Sequence, residues 1–454
     1  LAVNTSSQFQ ADIVKILDHD TLEVSQKFLV LSQFADKKTL EHNHGTSWTA
    51  TRFNRLPIPP APLSEGVPPI GQTLMISQVT GAAVQWGDKI TFTDVSTITI
   101  QHDLLKEATD RLGMQVAEMR ERNTWNAVLG GTQINYVNTR GSRGALLAGD
   151  ILDVTTVSRT VANLKKLGAP MWSGQTGETV QRSIDHNARG SSGKPMTHEH
   201  YVAVTDPLVT NDLAANATVV QAWSYSDVTR LYINEMGYWR GLHVCESNMT
   251  PTWTGVTPAI VGTGVGTGGN LAAGTYIVQV TGWDTQNFYE SRIYAATTAI
   301  TVGGSGAGSI TLTTPSTPGF TYAAYISSTN GTFVSFLATT NSTAAPMSGP
   351  YTGQAIMLPP STAVTLTGIG LYQIPPAAPA NGITVFPVAV FGQRSFAGLK
   401  LENISWTRLF EADKSDPNNQ LRVIGWKLFE GWVILNQQFL ARIECTASNS
   451  GAFG

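Results

Sequence analysis

The chain has 454 residues, 42% of them hydrophobic, with 13% charged residues and a net charge of −3. That length can bury a large core in more than one domain, and the near-neutral balance excludes a dedicated nucleic-acid binder with a basic stripe. The charged fraction is about half the usual share for soluble proteins, which suits a surface largely covered by neighbours, because interface cores are depleted in charge.

Residues 8–34 place Phe9, Ile13, Ile16, Leu17, Val24, Phe28 and Leu31 at helical spacing, predicting an amphipathic helix that serves as a mobile arm rather than a core element. Asp36-Lys37-Lys38 and a His/Asn/Gly turn follow. Residues 46–101 switch to period two: Trp48, Ala50 and Arg52 alternate with Thr49, Thr51 and Phe53. Six prolines between Leu56 and Gly71 remove ladder donors and fix φ, so this part is a stiff extended tip and no sheet interior. Residues 74–84 and 89–100 read as strands broken at Gly87-Asp88. The simplest picture is a long hairpin that reaches away from the body.

Residues 104–129 form the clearest helix. Leu105, Ala108, Leu112, Val116 and Met119 fall on one face, and Glu107/Arg111 and Glu118/Arg122 are spaced for i,i+4 pairs. Asp103 can cap its start and Gly130-Gly131 end it. At 1.5 Å per residue it spans about 40 Å and acts as a strut. Trp125 and Val128 lie opposite the stripe, so its last third is expected to be buried all round. A second helix is predicted over 153–167, with Val157, Val161 and Leu164 as its stripe, Gly168 at its end and Pro170 barring continuation. After a polar loop over 182–195, HYVAVTD (200–206) reads as a short buried strand, and Pro207 stands at a helix start.

Residues 257–365 differ in kind. Asp284, Glu290 and Arg292 are their only charged residues. GTYIVQVTGWD, SITLTTP, TYAAYISS and FVSFLATT are short alternating segments spaced by Gly, Pro and Asn turns, the pattern of an all-β sandwich. They resemble the fibronectin-type-III or immunoglobulin-like modules of phage structural proteins. Residues 255–270 and 367–382 are expected to be the linkers into and out of this module. Residues 383–445 return to a mixed, charged composition with strand alternation, which makes the sandwich an insertion.

Motifs for chemistry are weak. GVGTGG (264–269) matches G-x-G-x-x-G, but the dinucleotide fingerprint works only between a strand and a helix, and the next segment is strand-like, so the motif reads as linker. GSSGKP (190–195) has Pro195 where a P-loop needs Ser or Thr; with Arg182, Arg189 and Lys194 it is a basic loop, solvated or in contact with DNA or a neighbouring subunit. His42/His44 and His198/His200 could each offer two imidazoles to a metal in a strand, but both lack a third ligand on the same face and are expected in surface loops. Cys245 and Cys445 form no paired motif and read as small buried thiols. No nucleophile-elbow, zincin or Cys/His signature is present. No apolar run approaches the roughly 20 residues that span a bilayer, and the first ten residues carry no secretory pattern.

Several segments, in one order, carry a family resemblance. FLVLSQFADKKTLEHNHGTSWTATRFNRLP (28–57) and PLSEGVPPIG (62–71) are followed by VQWGDKITFTD (84–94) and DLLKEATDRLGMQVAEMRERNTWNAVLGGT (103–132). DVTTVSRTVANLKKLGAP (153–170), HYVAVTDPLVTNDL (200–213), YINEMGYWRGLHVCESN (232–248) and GWKLFEGWVILNQQFLARIE (425–444) complete the set. Together they resemble the Enquatro-like podovirus type of tailed-bacteriophage major capsid protein, with the Hong Kong 97-type coat fold.

The resemblance implies an α+β chain: an N-terminal arm (1–45), an extended hairpin loop (46–97), a peripheral domain with the spine helix (98–150), an axial domain (151–256), the inserted immunoglobulin-like domain (257–365) and return strands (366–454). It implies a coat protein that assembles into an icosahedral head around double-stranded DNA, in the virion, after assembly in the bacterial cytoplasm, and no enzyme. The expected partners are other copies in hexamers and pentamers, scaffolding, portal and decoration proteins, and packaged DNA without sequence preference; no membrane and no cofactor are expected. The hairpin would clamp neighbours through Arg52, Arg55, Pro59, Pro60, Glu65 and Pro68, with Gly71 and Gly87 as hinge points, and the insert would decorate the outer surface. Lys89 is the only lysine of the hairpin and lies near its base, so no self-crosslinking is expected. The competing reading is a carbohydrate-binding tail adhesin or surface-binding β module, which leaves the long helix and the hairpin unexplained.

Overall fold

A computed structural model describes residues 29–58, 71–99, 104–172, 200–216, 234–239, 241–256, 262–284, 289–294, 299–304, 308–315, 319–327, 336–340, 346–347, 355–356, 363–372, 377–409 and 420–448, with single residues 62, 219, 297 and 317. In chain order, β1 (Asp36–Thr39), β2 (Ser47–Phe53), β3 (Ile76–Ala82) and β4 (Val84–Thr93) precede helices α1 (Asp94–Thr99) and α2 (Leu104–Leu129). β5 (Ile134–Tyr136), α3 (Val154–Lys166), β6 (Tyr201–Thr205), α4 (Pro207–Ala214), β7 (Glu235–Trp239), β8 (Leu242–Glu246) and β9 (Trp253–Val256) follow. The glycine-rich stretch holds β10 (Gly262–Val265), β11 (Gly274–Tyr276), β12 (Val278–Asp284), β13 (Glu290–Tyr294), β14 (Ile300–Val302), β15 (Ser309–Thr313), β16 (Phe320–Ile326) and β17 (Phe336–Thr340). It continues through the two-residue strands β18 (Pro346–Met347) and β19 (Ala355–Ile356) to β20 (Ala363–Tyr372). The chain returns through β21 (Thr384–Phe391), β22 (Phe396–Leu409), β23 (Leu421–Ile434) and β24 (Leu440–Cys445).

The described residues divide into two units, one holding 85–117 with 402–429, the other 28–84, 118–401 and 430–454. In the first, Gln115 on α2 ties helix to strands: its amide donates to Asp88 Oδ2 at 2.6 Å and its carbonyl oxygen accepts from Trp426 Nε1 at 3.1 Å. Gly87 lies inside β4, where a Cβ would stand 2.8 Å from the Trp426 carbonyl oxygen. The expected hinge at this glycine is therefore corrected: the missing side chain admits the neighbouring strand. The strand expected over 89–100 is also shorter, since Asp94–Thr99 is helical.

The second unit is built on β21, which pairs with β6, β9 and β24. β6 is buried along its whole length between β21 and the parallel β8. The predicted stripe of α3, Val157, Val161 and Leu164, packs into this core. Asp153 caps α3 by accepting from the Thr156 N–H, and Gly168 ends it at φ +73°. Both short signals follow from local chemistry: an N-cap carboxylate satisfies an orphan donor, and a left-handed φ suits glycine. α4 starts on Pro207 under an Asp206 cap.

One charged centre joins distant parts of this unit. Glu444, fully buried, accepts from Arg143 Nε and Nη2 at 2.8 and 2.7 Å and lies 3.0 Å from Arg442 Nε. The Arg143 guanidinium lies 3.8 Å from the Trp253 ring centre and donates to the Ala377 carbonyl at 3.0 Å. Burial holds the Arg442 guanidinium below its usual pKa.

The strands of 262–372 gather around a core of their own, with Tyr276, Val280, Tyr294, Ile310 and Tyr322. Their main sheet runs β10-β15-β20-β17-β16-β12-β13 and continues through β9 into β21. The parallel register Arg292↔Thr254 to Tyr294↔Val256 carries the hydrogen bonding across the expected boundary. Both expected linkers are corrected: 262–265 is β10, paired with β15, and 367–372 is the second half of β20. Glycine stands there because strands approach closely; a Cβ on Gly264 would stand 2.1 Å from the Thr301 carbonyl oxygen. Glu290 is buried in this region, accepts from Thr281 and Tyr325 at 2.5 and 2.7 Å, and burial pushes its carboxyl pKa up.

The expected mobile arm is corrected over its last part: Val30, Leu31 and Phe34 are buried, Leu31–Phe34 form a single 3-10 turn and Asp36–Thr39 form a strand. Residues 8–28 of the expected helix lie outside the described residues. Cys245 and Cys445 are buried free thiols whose pKa burial pushes up.

Asp206 supplies a pH test. Burial first, and the Glu246 carboxylate second, raise its carboxyl to about 6, against the Leu208 N–H that lowers it. The folded chain then binds this proton more tightly than the unfolded chain. Its stabilising contribution is complete below about pH 4 and is lost as pH rises through about 6, by at most about 3 kcal/mol at roughly 1.4 kcal/mol per pH unit. Asp206→Asn keeps a good N-cap and should remove that fall. Urea unfolding of both proteins between pH 4 and 7 checks it; parallel stability profiles would count against the assignment.

Candidate assembly surface

β2 and β3 pair antiparallel over seven rungs, from Ser47↔Ala82 to Phe53↔Ile76. At about 3.4 Å per residue the ladder is about 24 Å long. Thr49 and Thr80 pair across it at 3.2 Å, Arg52 Nε donates to Ser77 Oγ at 3.3 Å, and the Asn54 N–H donates to the Met75 carbonyl at 2.9 Å. These bonds pair the two strands along their shared edge.

Burial along the two strands is uneven. At the root, Trp48, Ala50 and Val79 are half-buried, and with Leu435 and Phe439 they line a groove of about 580 Å³. Gly81 permits this seating: a Cβ there would stand 2.7 Å from Leu399 Cδ1 and 3.0 Å from Val433 Cβ. Beyond Thr51 the alternation of exposure stops. Phe53 is 60% exposed, Ile58 89% and Met75 66%, and Leu56, Leu74 and Ile76 are about half exposed. Large apolar side chains left in water on a projecting ladder form a candidate contact surface. Full burial of each offers about 1.5–3 kcal/mol, so six of them reach the order of the 4–15 kcal/mol that association costs in lost freedom.

The segment leading to the hairpin is held by Glu121 of α2. This fully buried carboxylate accepts from the N–H groups of Val30, Leu31 and Ser32 at 3.0, 2.6 and 2.9 Å. Burial raises its pKa and the three donors oppose that rise. On the preceding residue, Arg120 Nε donates to Glu430 at 2.9 Å and its Nη2 pairs with the other oxygen. The other unit carries its own exposed apolar side chains, Val95, Met114, Trp406 and Leu421.

Of the residues singled out in the sequence, Arg52 and Arg55 are exposed near the distal end of the hairpin. Pro59, Pro60, Glu65 and Pro68, and the basic-loop residues Arg182, Arg189 and Lys194, lie outside the described residues. The apolar set around Phe53 is not among them; its signal in the sequence is the run of Phe, Leu, Ile and Met in a hairpin that reaches away from the body. His42 and His44 are exposed, with His44 Nδ1 3.0 Å from the His42 carbonyl oxygen. The surface-loop reading of His200 is corrected: it is fully buried, edge-on to His243 at 4.1 Å between ring centres. Among the described residues no group of three or more His, Cys, Asp or Glu is placed to hold a metal ion, and no helix is long and apolar enough to cross a membrane.

No family model and no curated sequence matches the chain. Solved structures do. The chain is similar to the capsid chain of cyanophage Pam1, at 9% identity and a TM-score of 0.51, covering 97% of this chain and 98% of that one. It is similar to the capsid of Ralstonia phage GP4 at 10% identity and a TM-score of 0.50, covering 96% of each. These likenesses are of fold: the described chain has a mixed α+β phage-capsid fold.

The Glu121 anchor generates a test. Glu121→Ala leaves three donors of the 30–32 segment without their acceptor, at roughly 1–3 kcal/mol for each that stays buried. Amide exchange at Leu31 and Ser32 should rise by about tenfold or more while the β6 amides stay protected; unchanged exchange at 31–32 would rule out the clamp.

Proposed function

We propose that the chain is the major capsid protein of a tailed bacteriophage, of the Hong Kong 97-type and its Enquatro-like podovirus branch, and that it works as a structural protein and not as an enzyme. The observation that carries this is the hairpin: its root is seated by Gly81, its ladder is complete, and its distal apolar side chains are exposed on a chain with a phage-capsid fold. In the shell the hairpin lies over a neighbouring copy and covers those side chains there, with Arg52, Arg55, Pro59, Pro60, Glu65 and Pro68 in the contact. Proline limits the entropy lost when the tip docks. Copies close into hexamers and pentamers around double-stranded DNA, with scaffolding, portal and decoration proteins as further partners, and the protein resides in the virion. The strands of 262–372 are an inserted immunoglobulin-like module on the outer surface; support comes from their separate core and near-absence of charge. The basic loop with Arg182, Arg189 and Lys194 contacts DNA or a neighbouring subunit.

Negative-stain microscopy with sedimentation tests the reading. The wild-type chain, co-expressed with its scaffolding protein, should form shells, tubes or capsomer rings. The double variant Ile58→Asp/Met75→Asp should fold normally, since exposed substitutions change stability by about 0.5 kcal/mol or less, yet remain unassembled. Normal shells from the variant would remove the hairpin from the interface. A wild-type chain that stays monomeric beside the scaffold would sink the coat reading.

A further inference from the structure

β1 runs parallel to β22 with Lys37 opposite Gly398 and Thr39 opposite Lys400. Residues i and i+2 of a strand share a face, so Lys37 and Lys400 project from the same face. They line a cavity of about 510 Å³, with Lys38, Arg120 and Trp432 also on its wall. That volume is in the range of small-ligand sites. Gly398 leaves a recess in it: the Trp432 indole nitrogen lies 3.7 Å from where a Cβ on Gly398 would stand.

The charges around the cavity are unequally matched. Lys38 pairs with Asp36 at 3.2 Å, and Arg120 is held by both oxygens of the buried Glu430. Lys37 and Lys400 have no ion-pair partner among the described residues. We propose that this cavity binds phosphate groups, held by Lys37 and Lys400 with the Trp432 indole beside them. The residue types favour phosphate over a carboxylate peptide. Carboxylates are best read by the arginine fork, and the only arginine here already spends its fork on Glu430, whereas lysine ammoniums serve phosphate as point charges. The phosphate can come from a free oligophosphate or from a nucleic-acid backbone. The site stands independently of the coat reading.

The test is isothermal titration calorimetry of inorganic tripolyphosphate into the full chain at low salt, with a short single-stranded oligonucleotide as a second arm and an oligoglutamate as a third. Lys37→Gln/Lys400→Gln is the site variant. Both lysines are surface groups, so the variant should keep the wild-type unfolding curve; Lys427→Gln, an exposed lysine in the other unit, is the control. Saturable tripolyphosphate binding that weakens about tenfold or more in the site variant alone supports the proposal with a free oligophosphate as source. Oligonucleotide binding with the same lysine dependence, and none of tripolyphosphate, supports it with a nucleic-acid backbone as source. Binding of neither, binding indifferent to the two lysines, or binding of oligoglutamate alone overturns it.

Discussion

The larger unit depends on one buried charge. Glu444 sits on β24 with no exposure, and its carboxylate is tolerable there only because Arg143 and Arg442 flank it. Breaking such a buried pair by removing one partner costs about 3–5 kcal/mol, since the remaining charge is left uncompensated. The geometry spreads this constraint. Arg143 lies on the connection between β5 and α3, Trp253 beneath it belongs to β9, and the carbonyl it binds, Ala377, follows the last strand of the glycine-rich region. A single neutralised carboxylate therefore holds together the body sheet, the connection from β5 to α3 and the return of the chain from 262–372.

The hairpin expresses the opposite economy. Its seven-rung ladder pairs only the facing backbone groups of its two strands, so its form depends on how its root is seated. Close packing at Gly81 seats the root, while the distal end keeps large apolar side chains in water. In a monomer that exposure serves no fold. The cavity beside β1 follows another logic, because parallel register brings two lysines far apart in sequence to one face while their neighbours Lys38 and Arg120 are neutralised locally.

The legible parts were those written in short-range chemistry. α2 was predicted to the residue from its periodic stripe, and the burial of Trp125 and Val128 followed from their position opposite it. α3 was legible from Asp153, its stripe and Gly168, and α4 from Pro207. The glycine misreadings share one cause. Gly262, Gly264 and Gly87 looked like linker or hinge, because in a sequence glycine reports conformational freedom first. In the fold each sits inside a strand where another segment passes too close for a Cβ. His200 looked like a loop residue because its burial depends on His243, 43 positions later, and on the pairing of β6 with β8.

Sequence alone determined helices α2, α3 and α4, the hairpin, the low-charge β region and the absence of a recognisable catalytic motif, since caps, periodicity and proline placement act within a few residues. Tertiary structure decided which strands pair across the expected module boundary, which carboxylates are buried and how they are neutralised, and which apolar side chains remain uncovered. These depend on pairs hundreds of positions apart, such as Arg143 and Glu444, which are in contact, or Lys37 and Lys400, which line one cavity. Local preference carries no information about such pairs, because only register and packing bring them together.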